Sequence, residues 1–213
     1  IRYQTDPELL PAHLPEDLVA NDNGEVIMMW LKTHACSFGA YQAIFQYIPC
    51  WMPDGSYGLF LVQSYVNNSS AITAGREIYG FGPKFAHPDL QVANDTLRGV
   101  LHYGESPVLL GTMEFKTKRA SIDKAASKLT NSYLYLKTIP SVTGVGQDVA
   151  QLVAQAHSDL EVFEAWEGKA SLDIIPHVNC PLSDLPVRKV LKGEFMCADL
   201  TLDKGRVIRD YLQ

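Results

Sequence analysis

The chain has 213 residues, 46% hydrophobic and 20% charged, which is enough apolar material for one packed domain and too much for a disordered chain. Eighteen Lys and Arg against 24 Asp and Glu leave a net charge of −6, which excludes the broad basic face of a general nucleic-acid binder. Apolar runs are cut by Lys32, Gln46, Pro53 and Gln63, so no segment reads as a membrane-crossing helix.

The N-terminal stretch is polar and proline-bearing, unlike a secretory signal, and a chain that starts at Ile1 is expected to continue upstream. These features point to a cytoplasmic protein with neither a nucleic-acid nor a membrane partner. Cys36, Cys50, Cys180 and Cys197 form no C-x-x-C pair and have no zinc-spaced histidine. They read as free, buried thiols, and the sequence calls for no metal and no cofactor. Sequons at Asn67-Asn68-Ser69-Ser70 and Asn94-Asp95-Thr96 carry no weight without a secretion signal.

In chain order, Thr5-Asp6-Pro7-Glu8 predicts a capped helix start. Asn21-Asp22-Asn23-Gly24 is a turn. Residues 26–31, 41–48 and 57–66 are rich in β-branched and aromatic side chains and predict strands. Pro53-Asp54-Gly55 joins the last two as a hairpin. Residues 97–103 and 108–115 predict a second hairpin around Gly104-Glu105-Ser106-Pro107. Residues 121–129 and 148–157 predict helices, capped at Ser121 and at Gln147-Asp148. Residues 133–139 predict a strand, 160–175 two strands joined near Glu167-Gly168, 195–202 a last strand, and 207–212 a short closing element. Many short strands and few helices predict one α+β domain over 1–213, built on mostly antiparallel sheet.

Hydrolase elbows, Walker loops and paired-histidine zinc motifs are missing, and the six histidines are scattered. Tyr103, Tyr133 and Tyr135 have strand spacing and read as core. Lys116, Lys118 and Arg119 read as a solvated strand end. The segment Gly75-Arg76-Glu77-Ile78-Tyr79-Gly80-Phe81-Gly82-Pro83-Lys84-Phe85 is different, because it sets one lysine between two phenylalanines. Such a lysine either points to water or is an amine in an apolar pocket. A free lysine, with a pKa of about 10.4, is charged at neutral pH and does not attack carbonyls. Desolvation disfavours the ammonium, and the neutral amine then forms a Schiff base with a ketone.

On these residues the chain resembles the acetoacetate decarboxylase family. Gly75-Arg76-Glu77 followed by Pro83-Lys84 is similar to that family's G-R-E and P-K-K. Further blocks follow in order: Asp95 to Gly104, Met113 to Lys118, Tyr133 to Pro140, Glu164 to Gly168, Pro181 to Val187, and Val207 to Leu212. The resemblance covers nearly the whole chain. It implies a cone-like or barrel-like curved sheet, a homo-oligomer, and a small keto-acid or other carbonyl substrate held as a lysine imine. Lys84 is then the candidate catalytic residue, in a closed apolar pocket near Tyr65 and Phe81. Arg76, Glu77, Phe81, Phe85, Tyr65, Gln63, Tyr41, Met28 and Ala43 are the candidate pocket residues.

The chain also departs from the family. Without gaps, Pro83 falls on the family's catalytic lysine and Lys84 on its second lysine; with a one-residue insertion near Gly82, Lys84 falls on the catalytic one. The family's site glutamates fall on Ala43 and near Met28. Without them, Tyr41, Gln63, Tyr65 or water is left to handle protons. The expected function is a lyase acting on a keto acid through Lys84, by decarboxylation or by aldol and dehydration chemistry. The alternatives are a biosynthetic cyclase or isomerase that forms no imine, and a non-catalytic ligand-binding protein.

Overall fold

A computed structural model describes residues 1–213. In chain order the strands are β1 (Arg2–Gln4), β2 (Val19–Ala20), β3 (Glu25–Thr33), β4 (Tyr41–Trp51) and β5 (Tyr57–Val66). Helix α1 (Ser69–Ala74) runs into a π-helical turn at Gly75–Tyr79. Next come β6 (Lys84–Phe85), β7 (His87–Ala93), β8 (Thr96–Tyr103), β9 (Ser106–Glu114), β10 (Lys118–Arg119) and helix α2 (Ile122–Leu129). The chain closes with β11 (Ser132–Pro140), β12 (Gln147–Gln155), β13 (His157–Gly168), β14 (Ala170–Ile174), β15 (Lys189–Leu202) and β16 (Arg206–Asp210). No helix is long and apolar enough to cross a membrane.

The large sheet runs β10-β13-β15-β1-β3-β4-β5-β11-β12-β16, with β2 added to β4 and β6 to β5. All its pairings are antiparallel except β5 with β11 and β5 with β6. The smaller sheet runs β14-β9-β8-β7. The large sheet is strongly curved. Lys128 of α2, just before β11, reaches Glu194 of β15, although four strands lie between β15 and β11 in the sheet order. The His157 ring of β13 also packs on Tyr133 of β11, with centroids 4.6 Å apart.

Two sheets packed face to face form the largest part of the core. Tyr3, Met28, Ile44, Ile48 and Tyr65 from the large sheet meet Leu101, Val108, Leu109 and Leu172 from the small one. Trp30 sets the spacing between the sheets. Its indole lies over Gly99 and Gly111, which are cross-strand neighbours on β8 and β9. A Cβ at Gly99 would stand 2.6 Å from the ring, and one at Gly111 2.5 Å, so only glycine allows this approach.

The strands follow the expected order, and both hairpins form. The opening segment is a 3-10 helix, Pro7–His13, with Pro at its start as expected. The helix expected over 148–157 is strand β12 instead. Its apolar residues sit between two partners, β11 and β16, and that ladder overrides the capping signal at Asp148. Strand β7 and the helix with its π-turn were not anticipated. Cys50 and Cys180 are buried, whereas Cys36 and Cys197 are exposed, which corrects the expectation for those two.

Gly99→Ala should destabilise the fold by about 2 kcal/mol through overpacking against Trp30. Urea unfolding measures this, and adding Trp30→Phe, which frees space over the glycine, should return part of the loss.

Candidate functional site

The pleat of β4 divides the candidate residues. Ala43, Phe45 and Tyr47 face the concave interior, with Leu59, Leu61, Val66, Tyr133 and Tyr135. Ile44 and Ile48 face the small sheet, and Gln46 joins them, donating to Tyr3 Oη at 2.8 Å and to the Leu182 carbonyl at 3.1 Å. Met28 and Ala43, expected in one pocket, therefore lie on opposite faces of the sheet. Tyr65 is fully buried on the small-sheet side, donates to Gln63 Oε1 at 3.1 Å and contacts Cys180, whose thiol is pushed up by burial. Tyr41 and Phe81 pack on the interior side with Ala43.

Residues 75–85 seal the sheet where β5 and β11 part. Those strands pair only from Gly58 to Phe60 on β5, and β6 joins β5 again at Tyr65. Gly80 takes φ 91°, and a Cβ there would lie 2.5 Å from Lys137 Cβ, so a glycine lets the bend press against β11. Phe81 then reaches inward, its ring centroid 4.2 Å from that of Tyr135. Arg76 and Glu77 are exposed on the outer side of the π-turn, and Phe85 is exposed with its ring edge-on to His87.

Lys84 is not the enclosed amine that the sequence suggested. It is exposed, and its Nζ donates to the Asn179 carbonyl at 3.2 Å. The reason is register. β6 runs parallel to β5 with Lys84 opposite Tyr65, so the lysine takes the small-sheet side while Phe81 lies in the interior. Pro83 is the buried residue and packs back on Gly75, where a Cβ would stand 3.2 Å from its ring.

The interior instead gathers tyrosines. Tyr47, Tyr133 and Tyr135 are each 3% exposed. Burial raises all three hydroxyl pKa values, that of Tyr133 to about 12 and those of Tyr47 and Tyr135 well above their ordinary value. They stay protonated and can donate. Tyr47 and Tyr135 belong to the same interior cluster, and no charged group hydrogen-bonds any of the three. Nearby, Ser64 Oγ and Gln155 Oε1 are buried without a partner. Strand spacing had marked Tyr133 and Tyr135 as core; their shared face with Tyr47 is set only by sheet pairing.

Charge lies toward one end of this surface. Lys192, Arg2, Ile27 and Tyr47 form one cross-strand row from β15 to β4. Arg2 bonds Glu25 and, at 2.9 Å, Glu194; Glu194 also takes Lys128 and, at 3.0 Å, Lys192. Burial alone would raise the Glu194 pKa, but bonds from Lys128, Arg2 and Lys192 overcome it and lower the value to about 2.

A cavity of about 320 Å³ opens at the seam between β5 and β11, lined by His13, Val62, Gln63, Ser64, Phe81 and Leu136 among others. A bulge at Val62 lies in its wall, since Gln46 pairs with Gln63 but Tyr47 with Leu61.

The family described as acetoacetate decarboxylase (ADC) matches residues 1–212. This chain belongs to the acetoacetate decarboxylase family. It is 37% identical over 215 residues to the acetoacetate decarboxylase of Burkholderia cenocepacia, covering 100% of this chain and 85% of that one. It superimposes on the crystal structure of acetoacetate decarboxylase from Legionella pneumophila with a TM-score of 0.97 at 34% identity, over 100% of this chain and 84% of that one. The enduracididine biosynthesis enzyme MppR shares the fold alone, with a TM-score of 0.84 at 18% identity over 99% of this chain and 87% of that one, in a structure complexed with pyruvate.

The Glu194 cluster makes a pH prediction. Its folded pKa lies below the ordinary carboxyl value, so its stabilisation is complete above pH about 4.5 and fades as pH falls toward 2. Glu194→Gln should cost roughly 1–3 kcal/mol at pH 7, since some solvent screens the cluster. It should also flatten the loss of stability between those two pH values, as read by urea titration at stepped pH.

Proposed function

We propose that this chain is a lyase of the acetoacetate decarboxylase family acting on a small keto acid or related carbonyl compound. In this reading the carbonyl is held by tyrosine hydroxyls in the interior rather than as an imine on Lys84. The observation that carries it is the convergence of Tyr47, Tyr133 and Tyr135, all buried and protonated, on the interior side, with Lys84 exposed on the other. The names of its relatives and its family support the lyase class.

The chemistry follows from those donors. When a β-keto acid loses carbon dioxide, the C–C bonding electrons pass to the α-carbon and spread onto the carbonyl oxygen as an enolate. Hydroxyl donors aimed at that oxygen stabilise the charge as it develops, and they do so more strongly where water is excluded. Water then protonates the carbon and the ketone leaves. No amine is consumed and no cofactor is required. The interior is mostly aromatic and carries neutral hydrogen-bonding groups, so it suits the reacting carbonyl of such a compound.

The test combines turnover with trapping. Carbon dioxide release from acetoacetate and longer β-keto acids is measured for the wild type, Lys84→Met, Tyr47→Phe and Tyr135→Phe. Lys84→Met should keep wild-type turnover, and each Tyr→Phe should lower it by roughly 10–100-fold. Borohydride added with substrate should leave no adduct on Lys84 by mass spectrometry. A Lys84 adduct, or loss of turnover in Lys84→Met alone, overturns the tyrosine route. Binding with no product from any keto acid overturns the lyase reading in favour of a carrier.

A further inference from the structure

The seam cavity is bordered by a serine whose buried hydroxyl the fold itself does not use. Ser64 is 3% exposed, its Oγ has no hydrogen-bond partner, and it borders the cavity. A buried hydroxyl without a partner is costly, and replacing it by a methyl group costs little or stabilises. The strand edge beside it is also open. Between Phe60, where β11 leaves, and Tyr65, where β6 arrives, β5 has no strand partner on its seam side. Backbone groups there need hydrogen bonds from something other than sheet. The bulge at Val62 falls inside this gap.

The cavity adjoins the tyrosine-lined interior. Leu61 belongs to the interior cluster and lines the cavity, Ser64 stands opposite Phe45 of that cluster, and Phe81 touches both the cavity and Tyr135. We propose that the seam cavity receives the far end of the ligand, which is a carbonyl compound whose chain carries a second hydrogen-bonding oxygen. The inference rests on the reading that the carbonyl sits at the tyrosines, and it adds the substrate's second recognition point. At about 320 Å³ the cavity exceeds the roughly 30 Å³ share of one water by enough to hold several heavy atoms. An all-hydrocarbon tail would leave Ser64 and the β5 edge unpaired, so the tail that fits is oxygenated.

Three ketones separate the parts: acetone, methyl propyl ketone, and acetopropyl alcohol, which is the second ketone with a terminal hydroxyl. Dissociation constants come from NMR titration and do not depend on turnover. The wild type should bind acetopropyl alcohol about 5-fold more tightly than methyl propyl ketone, the ratio of one net hydrogen bond. Ser64→Ala should erase that ratio while raising Tm, a combination that a merely structural serine does not give. Leu136→Trp, at a partly exposed wall position, should weaken both longer ketones roughly tenfold and spare acetone. An unchanged ratio in Ser64→Ala, or equal losses for all three ketones in Leu136→Trp, overturns the seam assignment. Tyr135→Phe without effect on any ketone, while Leu136→Trp discriminates by length, overturns the tyrosine reading and leaves the cavity standing. Failure of all three ketones to bind overturns both.

Discussion

The two-residue period of β4 and β5 decides what each side chain in this protein can reach. Neighbours along a strand point to opposite faces, so a residue's face follows from its register and not from its chemistry. On β4 this sends Ala43, Phe45 and Tyr47 inward and Ile44 and Ile48 against the small sheet. The parallel pairing of Lys84 with Tyr65 applies the same rule to the 75–85 segment. The only lysine of that segment is thereby kept out of the tyrosine interior.

Curvature turns this sorting into a site. Because the large sheet bends until α2 can reach β15, tyrosines from β4 and β11 share one enclosed surface. Charge is gathered in the Arg2, Glu25, Glu194, Lys128 and Lys192 cluster, where each carboxylate is paired with a cation. The tyrosines sit in a drier setting that keeps their hydroxyls protonated. Such fixed neutral dipoles act on a carbonyl without the cost of burying an isolated ion.

Much of the fold was legible from residue pattern. Turn residues and β-branched runs marked both hairpins and most strands, since these signals are local. The 148–157 segment was misread because its cap at Asp148 is local while its two strand partners are distant. The π-turn was not legible for a similar reason: Gly80 at its end is required by Lys137, more than fifty residues further along the chain. Among the candidate residues, Phe81, Tyr41 and Ala43 reach the interior, whereas Tyr65, Gln63 and Met28 belong to the other side and Arg76, Glu77 and Phe85 to the surface.

By itself the sequence determined the class of fold, the family, and the importance of the 75–85 segment, because ordered blocks of motif and alternating apolar residues survive in a linear reading. It left Pro83 and Lys84 as rival occupants of one position, since a gap can be placed on either side of Gly82. Only the tertiary structure decided which of them is buried. A one-residue change of register exchanges inside for outside in a strand, and that register is held by Tyr65 on β5 and by Lys137 on β11, not by the residues of the segment itself.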